Sequence, residues 1–393
     1  MSDIELTLSA LVATARQRSG LRDFGDEDFE TPLKVLLQSL NDEANLNDLG
    51  GALQFERLAE LLVNRLRLQR FVERNPEILE EDVRAPVVIV GLPRTGTTLL
   101  QRIMSREPAL LSTRWYEMRF PVPEFDWDFA PAHDARIDTA RAEVATLIAN
   151  NPDLLSMHPL DAVEADEDLL LLENTFLSVM PGSQAHVPSY NRFFETTDTT
   201  AAYRYHRKLM QFLQWQRRRG GATVDGKSWV LKSPAHMHEI EAMLAVYPDA
   251  RFVASNRDPL ACIPSISSLY LAVWKVYSDS ADARACGEYC RDFYALSLRR
   301  AQAAKDRLPA QFLDIDYRDL VDAPDATLAR LFDFIDIELR PATLAAMQEW
   351  RAANRRGSRA EHKYRLEEFG LNEAGIRAAF ADYCARHHFP RTT

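Results

Sequence analysis

Residues 87–91, VVIVG, are five apolar residues in a row, and the seven that follow, LPRTGTT, carry a proline, a glycine and three hydroxyls before an apolar helical pattern resumes at Leu99. An apolar run without polar alternation is a strand buried on both faces, the signature of a parallel sheet covered by helices. The frame Gly91-x-x-x-x-Gly96 is that of a phosphate-binding loop. Such a turn aims several backbone N–H groups at one point, and the helix N-terminus adds partial positive charge. In a nucleotide triphosphatase the next residue is Lys, followed by a Ser or Thr that binds magnesium. Here Thr97 and Thr98 occupy those places, and the loop's cation is Arg94. Arginine offers a planar fork to a single phosphate. The loop therefore suits an anion and disfavours magnesium-triphosphate chemistry.

Three further apolar runs, SWVLK (228–232), RFVASN (251–256) and QFLDID (311–316), are each followed by a helical pattern. Strand–helix alternation predicts an α/β fold: a parallel sheet of the phosphate-loop type flanked by helices. Residues 1–85 have apolar spacings of three and four and predict a helical N-terminal section packed on that core. The α/β domain is expected over 86–393, with no clear strand in 108–226 and a helical insertion over about 120–226 that covers the mouth of the sheet. Its bulky residues Leu169–Leu172, Phe176, Met180, Tyr190, Phe193 and Phe194 are core by default, a minority lining an apolar pocket. The tail, 341–393, reads as helical with a charged, irregular middle at 355–370.

The net charge is −11, and the densest basic cluster, Arg217–Arg219, ends a helix, where cations complement the dipole. A nucleic-acid partner is therefore not expected. The four cysteines lack zinc-ligand spacing and read as reduced and non-ligating. The first residues form an amphipathic helix rather than a leader. No run approaches the roughly eighteen apolar residues of a membrane span, so a soluble, cytoplasmic chain without stable membrane insertion is expected.

A second anion site follows the strand at 251–256. Arg257 ends it, Asp258 and Pro259 suit the cap and first turn of a helix, and Ser265 lies eight residues after Arg257. Near a helix start that spacing can bring a hydroxyl and a guanidinium round one phosphate. Lys232 ends the strand at 228–232. Ligands of parallel sheets gather at the carboxyl ends of strands. Gly91, Lys232 and Arg257 thus face one crevice if their strands are neighbours. That set fits a nucleotide with two separated phosphates and a reacting group between them.

This pattern resembles the sulfotransferases that use 3'-phosphoadenylyl sulfate (PAPS). GLPRTGTT (91–98) looks like their 5'-phosphosulfate loop, Arg257 with Ser265 their 3'-phosphate pair, and LKSP (231–234) the strand end that carries the catalytic lysine. The segments 312–339 and 363–371 look like the family's following segment and tail, so the likeness covers roughly 86–390. It implies that Arg94, Thr95, Gly96, Thr97 and Thr98 hold the 5'-phosphosulfate and that Arg257 and Ser265 hold the 3'-phosphate. Lys232 would stabilise charge on the bridging oxygen, and no metal would be needed. Arg355, Arg356 and Gly357 resemble the element some members fold over the 3'-phosphate, with Tyr364 a candidate of the same kind.

For the general base, the position used by cytosolic members is Pro234 here, whereas Glu117-Met118-Arg119 matches the Glu-x-Arg segment of tyrosylprotein-type members. Glu117 is the expected base, with His236, His158, Glu164 and Asp166 as rivals. The expected reaction is sulfuryl transfer to a hydroxyl of a small, largely apolar acceptor. The alternatives are an ATP-dependent phosphotransferase and a non-catalytic nucleotide-binding protein of the same fold. The helical N-terminal section reads either as a homodimer surface or as a lid.

Overall fold

The computed structural model describes residues 6–129, 133–150, 160–354 and 365–389. Its centre is a parallel sheet of β1 (Val87–Gly91), β2 (Leu110–Ser112), β3 (Ser228–Lys232), β4 (Arg251–Asn256) and β5 (Phe312–Asp316), in the order β2-β3-β1-β4-β5. The predicted α/β class, with a phosphate-loop-type parallel sheet flanked by helices, is the class observed. β1 is central and buried along its whole length. Its alternate residues feed two cores. Val88 and Val90 join Leu231 and Phe252 on one face, and Val87 and Ile89 join Val230, Val253, Leu100 and Phe332 on the other. That two-sided burial explains the unbroken apolar run.

β2 is a correction to the reading of 108–226 as strandless. Three residues are too few for a visible apolar run, yet Leu110–Ser112 pairs with Ser228–Val230 and forms an edge. β5 starts at Phe312, one residue later than the run suggested, because Gln311 ends the preceding turn.

Helices α1 (Leu8–Ser19), α2 (Glu30–Asp42) and α3 (Asp48–Arg74) make up the N-terminal section. Their buried Leu11, Leu33, Leu36, Leu58 and Leu62 belong to the same apolar cluster as Val88 and Val90 of β1. After β1 come α4 (Thr97–Met104) and the short α5 (Trp115–Arg119). The long helices α6 (Thr200–Arg219), α7 (Pro259–Tyr277) and α8 (Ala283–Arg307) follow, with α9 (Glu373–Ala379) near the end. α7 runs through Pro264 without breaking. By length and composition alone it would pass for a membrane span, as a core helix also can, and half of it is buried within the protein. All four cysteines are buried thiols outside any disulfide.

The chain register brings three chemically distinct strand ends together. Ile89 lies beside Lys232 and Gly91 beside Ser255. Because β1 lies between β3 and β4, the phosphate loop, Lys232 and Arg257 share one edge of the sheet.

Candidate active site

The loop after β1 is held in its turn by local bonds. Thr95 Oγ1 donates to the Leu92 carbonyl at 2.7 Å, and Ser255 Oγ donates to the Thr95 carbonyl at 2.6 Å. Gly91, Arg94 and Gly96 all have positive φ (143°, 71° and 86°). A Cβ on Gly91 would lie 2.3 Å from the Ser255 carbonyl oxygen, so only glycine lets β1 leave the sheet at that point. Gly96 caps α4, whose first N–H groups have no intrahelical acceptor and face the loop's mouth. Arg94 is exposed, Thr95 and Thr97 are buried, and Thr98 is half-buried.

The lysine absent from the loop is supplied from the neighbouring strand. Lys232 is fully buried, and its Nζ donates to Thr98 Oγ1 at 3.1 Å and to Glu167 Oε1 at 2.7 Å. A cation from β3 thus reaches the first turn of α4, where a triphosphatase loop would place its own. The lysine's backbone is fixed as well: Asp168 Oδ1 accepts the Lys232 N–H at 2.8 Å.

Behind this pair lies a buried polar chain. Asp168 Oδ2 accepts from Nε2 of both His206 and His236, each at 3.0 Å. The Tyr203 hydroxyl lies 2.7 Å from His236 Nδ1, and that of Tyr247 lies 3.0 Å from His206 Nδ1. Burial pushes the Asp168 carboxyl up, but the charge of His236 and the two imidazole bonds outweigh it and hold the group well below the usual range. Burial likewise pushes His236 down, while the charge and hydrogen bond of Asp168 raise it on balance. The expected rival base His236 therefore has both ring nitrogens engaged inside the protein.

Arg257 closes the other side. Its Nη1 donates to the Arg94 carbonyl at 2.6 Å, and its guanidinium lies over the Tyr317 ring, 4.3 Å from the centroid. Asp258 caps α7 by accepting from the Leu260 N–H at 2.9 Å, and Arg377 of α9 binds both its oxygens, at 2.7 and 3.0 Å. The Arg257 N–H donates to the Tyr383 hydroxyl at 3.1 Å. The C-terminal helices therefore clamp the strand end that carries Arg257. Ser265 is buried in the second turn of α7.

Glu117 has a different setting. It is buried in α5, where Arg217 donates through Nη2 to its Oε2 at 2.6 Å and through Nε to its Oε1 at 3.1 Å. Its Oε2 also accepts the Arg114 N–H at 3.1 Å, capping its own helix. Burial pushes this carboxyl up, but Arg217, then Arg114 and Arg136, bring it below the usual carboxylate value. The structure thus pairs Glu117 with Arg217, and pairs Lys232 with Glu167. Glu164 is bound by Arg106 at 2.5 Å, and Asp166 faces Arg102 at 3.7 Å. The Arg217–Arg219 cluster serves α6 and its neighbours, Arg218 binding Glu81. His158, Arg355, Arg356, Gly357 and Tyr364 lie outside the described residues.

Sequence reasoning missed Glu167 and Asp168. The available signal was the acidic run EADED at 164–168 just before an apolar tetrad. Side-chain spacing along that run does not show which carboxylate points where. Backbone bonds decide it: the Asp166 N–H donates to the Thr113 carbonyl at 3.0 Å, and Gln101 Nε2 to the Asp166 carbonyl at 2.8 Å. These bonds pin the run between α4 and the end of β2.

Comparisons with known proteins agree with this geometry. Residues 86–341 match the model of the sulfotransferase family. The omega-hydroxy-beta-dihydromenaquinone-9 sulfotransferase Stf3 of Mycobacterium bovis is 26% identical over 268 residues, 64% of this chain and 63% of that protein. The chain thus spans less than two thirds of the curated relatives it matches. The crystal structure of sulfotransferase STF1 from Mycobacterium tuberculosis H37Rv aligns at 29% identity with a TM-score of 0.83, over 96% of this chain and 99% of that one. Sulfotransferase STF9 from Mycobacterium avium shares the fold, with a TM-score of 0.87 at 24% identity over 100% and 99% of the two chains. With a family match over well more than half of its length, loop and strand ends included, the chain belongs to the sulfotransferase family.

Proposed function

We propose that this protein moves a sulfuryl group from 3'-phosphoadenylyl sulfate to a hydroxyl of a small, largely apolar acceptor. The observation that carries the reading is the adjacency of three anion-binding elements on β3, β1 and β4: Lys232, the 91–98 loop and Arg257. The donor supplies an activated sulfate between two phosphate-bearing ends. The residues present fit it, since two separate cations, Lys232 from β3 and Arg257 from the end of β4, reach the loop from either side. Arg94 and the Thr95–Thr98 turn would hold the 5'-phosphosulfate. Arg257 and Ser265 would hold the 3'-phosphate. Lys232 would meet the negative charge that develops on the bridging oxygen, a fixed electrostatic role in a water-poor site. Glu117 is set aside as base, because Arg217 and its own helix occupy both its oxygens.

An apolar acceptor is supported by a relative whose named substrate is a hydroxylated menaquinone. The test is a metal-free calorimetric titration with adenosine 3',5'-bisphosphate beside one with ATP and magnesium. Bisphosphate binding that is lost in Arg257→Ala, with no ATP response, is the expected result. ATP binding without bisphosphate binding would return the protein to the phosphotransferase reading.

A further inference from the structure

Among the described residues, Glu167 is the one carboxylate whose side chain the structure places directly on the Lys232 ammonium, 2.7 Å away. Its surroundings differ from those of every other acid near the site. Asp168 is fully enclosed and shared by two histidines. Glu164 and Asp166 face Arg106 and Arg102, and Glu117 faces Arg217. Glu167 keeps about a quarter of its side-chain surface open (23%), while its lysine partner has none. Its main chain is nonetheless fixed, because the flanking residues are bonded to α4, to β2 and to β3. A rigidly held carboxylate, open on one side and touching the charge-stabilising lysine on the other, is what an acceptor hydroxyl needs at the reacting end of the site.

Resting on the sulfuryl-transfer reading, we propose that Glu167 is the general base that takes the proton from the acceptor hydroxyl. The acceptor oxygen forms its bond to sulfur as its proton passes to a Glu167 oxygen. The bond from sulfur to the 5'-phosphate oxygen breaks, and its electron pair leaves on that oxygen, where the Lys232 charge meets it. Glu167 then releases the proton to water through its open side. The consecutive carboxylates have separate tasks. Glu167 acts on the hydroxyl, and Asp168 positions the lysine through its backbone N–H.

A base is needed only while the acceptor carries its proton, and this separates a chemical role from a structural one. The experiment compares Glu167→Gln with the unsubstituted enzyme on two acceptors of similar shape: 4-nitrobenzyl alcohol, and 4-nitrophenol at mildly alkaline pH, where it is ionised. Release of adenosine 3',5'-bisphosphate reports turnover, and calorimetry reports affinity for the bisphosphate. The expected loss is roughly 100-fold or more on the alcohol, the usual size of a general-base contribution. On the phenolate it should be under about three-fold, with bisphosphate affinity unchanged and Glu167→Asp recovering part of the alcohol rate. Equal losses on the two acceptors, or none on the alcohol, would overturn the assignment. If the unsubstituted enzyme bound no bisphosphate, the donor reading itself would fall. Intact binding with equal losses would remove only Glu167 from its role.

Discussion

Arg257 Nη1 donates to the carbonyl oxygen of Arg94 at 2.6 Å, a bond between residues 163 positions apart. It ties the phosphate loop after β1 to the end of β4, so the two anion motifs form one rigid edge. Tyr317 lies under the same guanidinium, and Tyr383 accepts the N–H of the same residue.

Removing that guanidinium should cost bisphosphate affinity more than stability. A hydrogen bond to a charged group is worth about 1.5–3 kcal/mol. Arg257→Ala should therefore weaken adenosine 3',5'-bisphosphate binding by roughly 10- to 150-fold in calorimetry. An unchanged Kd would mean that Arg257 only braces the loop.

Lys232→Ala should separate binding from turnover. On the proposed sulfuryl-transfer reading, the ammonium meets charge that is greatest in the transition state. A loss of roughly 100- to 1,000-fold in kcat is expected, with bisphosphate affinity nearly kept. A parallel loss of both would place the lysine in ground-state binding.

Glu117→Gln should report on folding. It leaves Arg217 without its charge partner in a largely buried pair, a change worth about 3 kcal/mol. Its carboxyl lies below the ordinary value when folded. The stability it contributes is thus present above the unfolded value of about 4.3 and is lost as pH falls through the lower folded value. Thermal melts should show the unsubstituted protein weakening on acidification and the variant lacking that component. An unaltered melting temperature across pH would contradict the pairing.

Glu239 has the opposite sign. It is fully buried, and burial pushes its carboxyl up to about 8, against the lowering effects of His236, Thr199 and Arg300. Between the unfolded value and about 8 the folded state holds a proton that the unfolded chain has lost. Stability should therefore fall as pH rises through that window, by at most about 1.4 kcal/mol per pH unit. Glu239→Gln should flatten the fall in denaturant titrations, and an identical slope in both proteins would show that another group is responsible.

Gly91→Ala should damage the loop itself. The new methyl meets the Ser255 carbonyl at 2.3 Å, at a backbone angle of +143° that side chains rarely adopt. A loss of several kcal/mol, or failure to accumulate folded protein, is expected. Wild-type stability in urea titration would mean that β1 can leave the sheet by another path.

Much of the architecture was readable from residue pattern. β1, β3 and β4 stood out because they are buried on both faces and carry unbroken apolar runs. β2 did not, since three edge residues leave no pattern. The loop and Arg257 were visible because phosphate binding by backbone demands glycine and hydroxyl residues in a fixed local order. Glu167 was not, because its meaning depends on a lysine 65 positions away.

The sequence by itself determined the class of the sheet, the anion-binding loop and the absence of a lysine within it, all consequences of short-range geometry. Only the tertiary structure decided where the missing cation comes from and which acid serves it. Strand order puts Lys232 beside Ile89 and within reach of Thr98. Glu117 meets Arg217, and Glu167 meets Lys232, only across separate elements of the fold. Charge pairing in a folded chain is set by distances across elements, and those distances are fixed only when the sheet and its covering helices have packed.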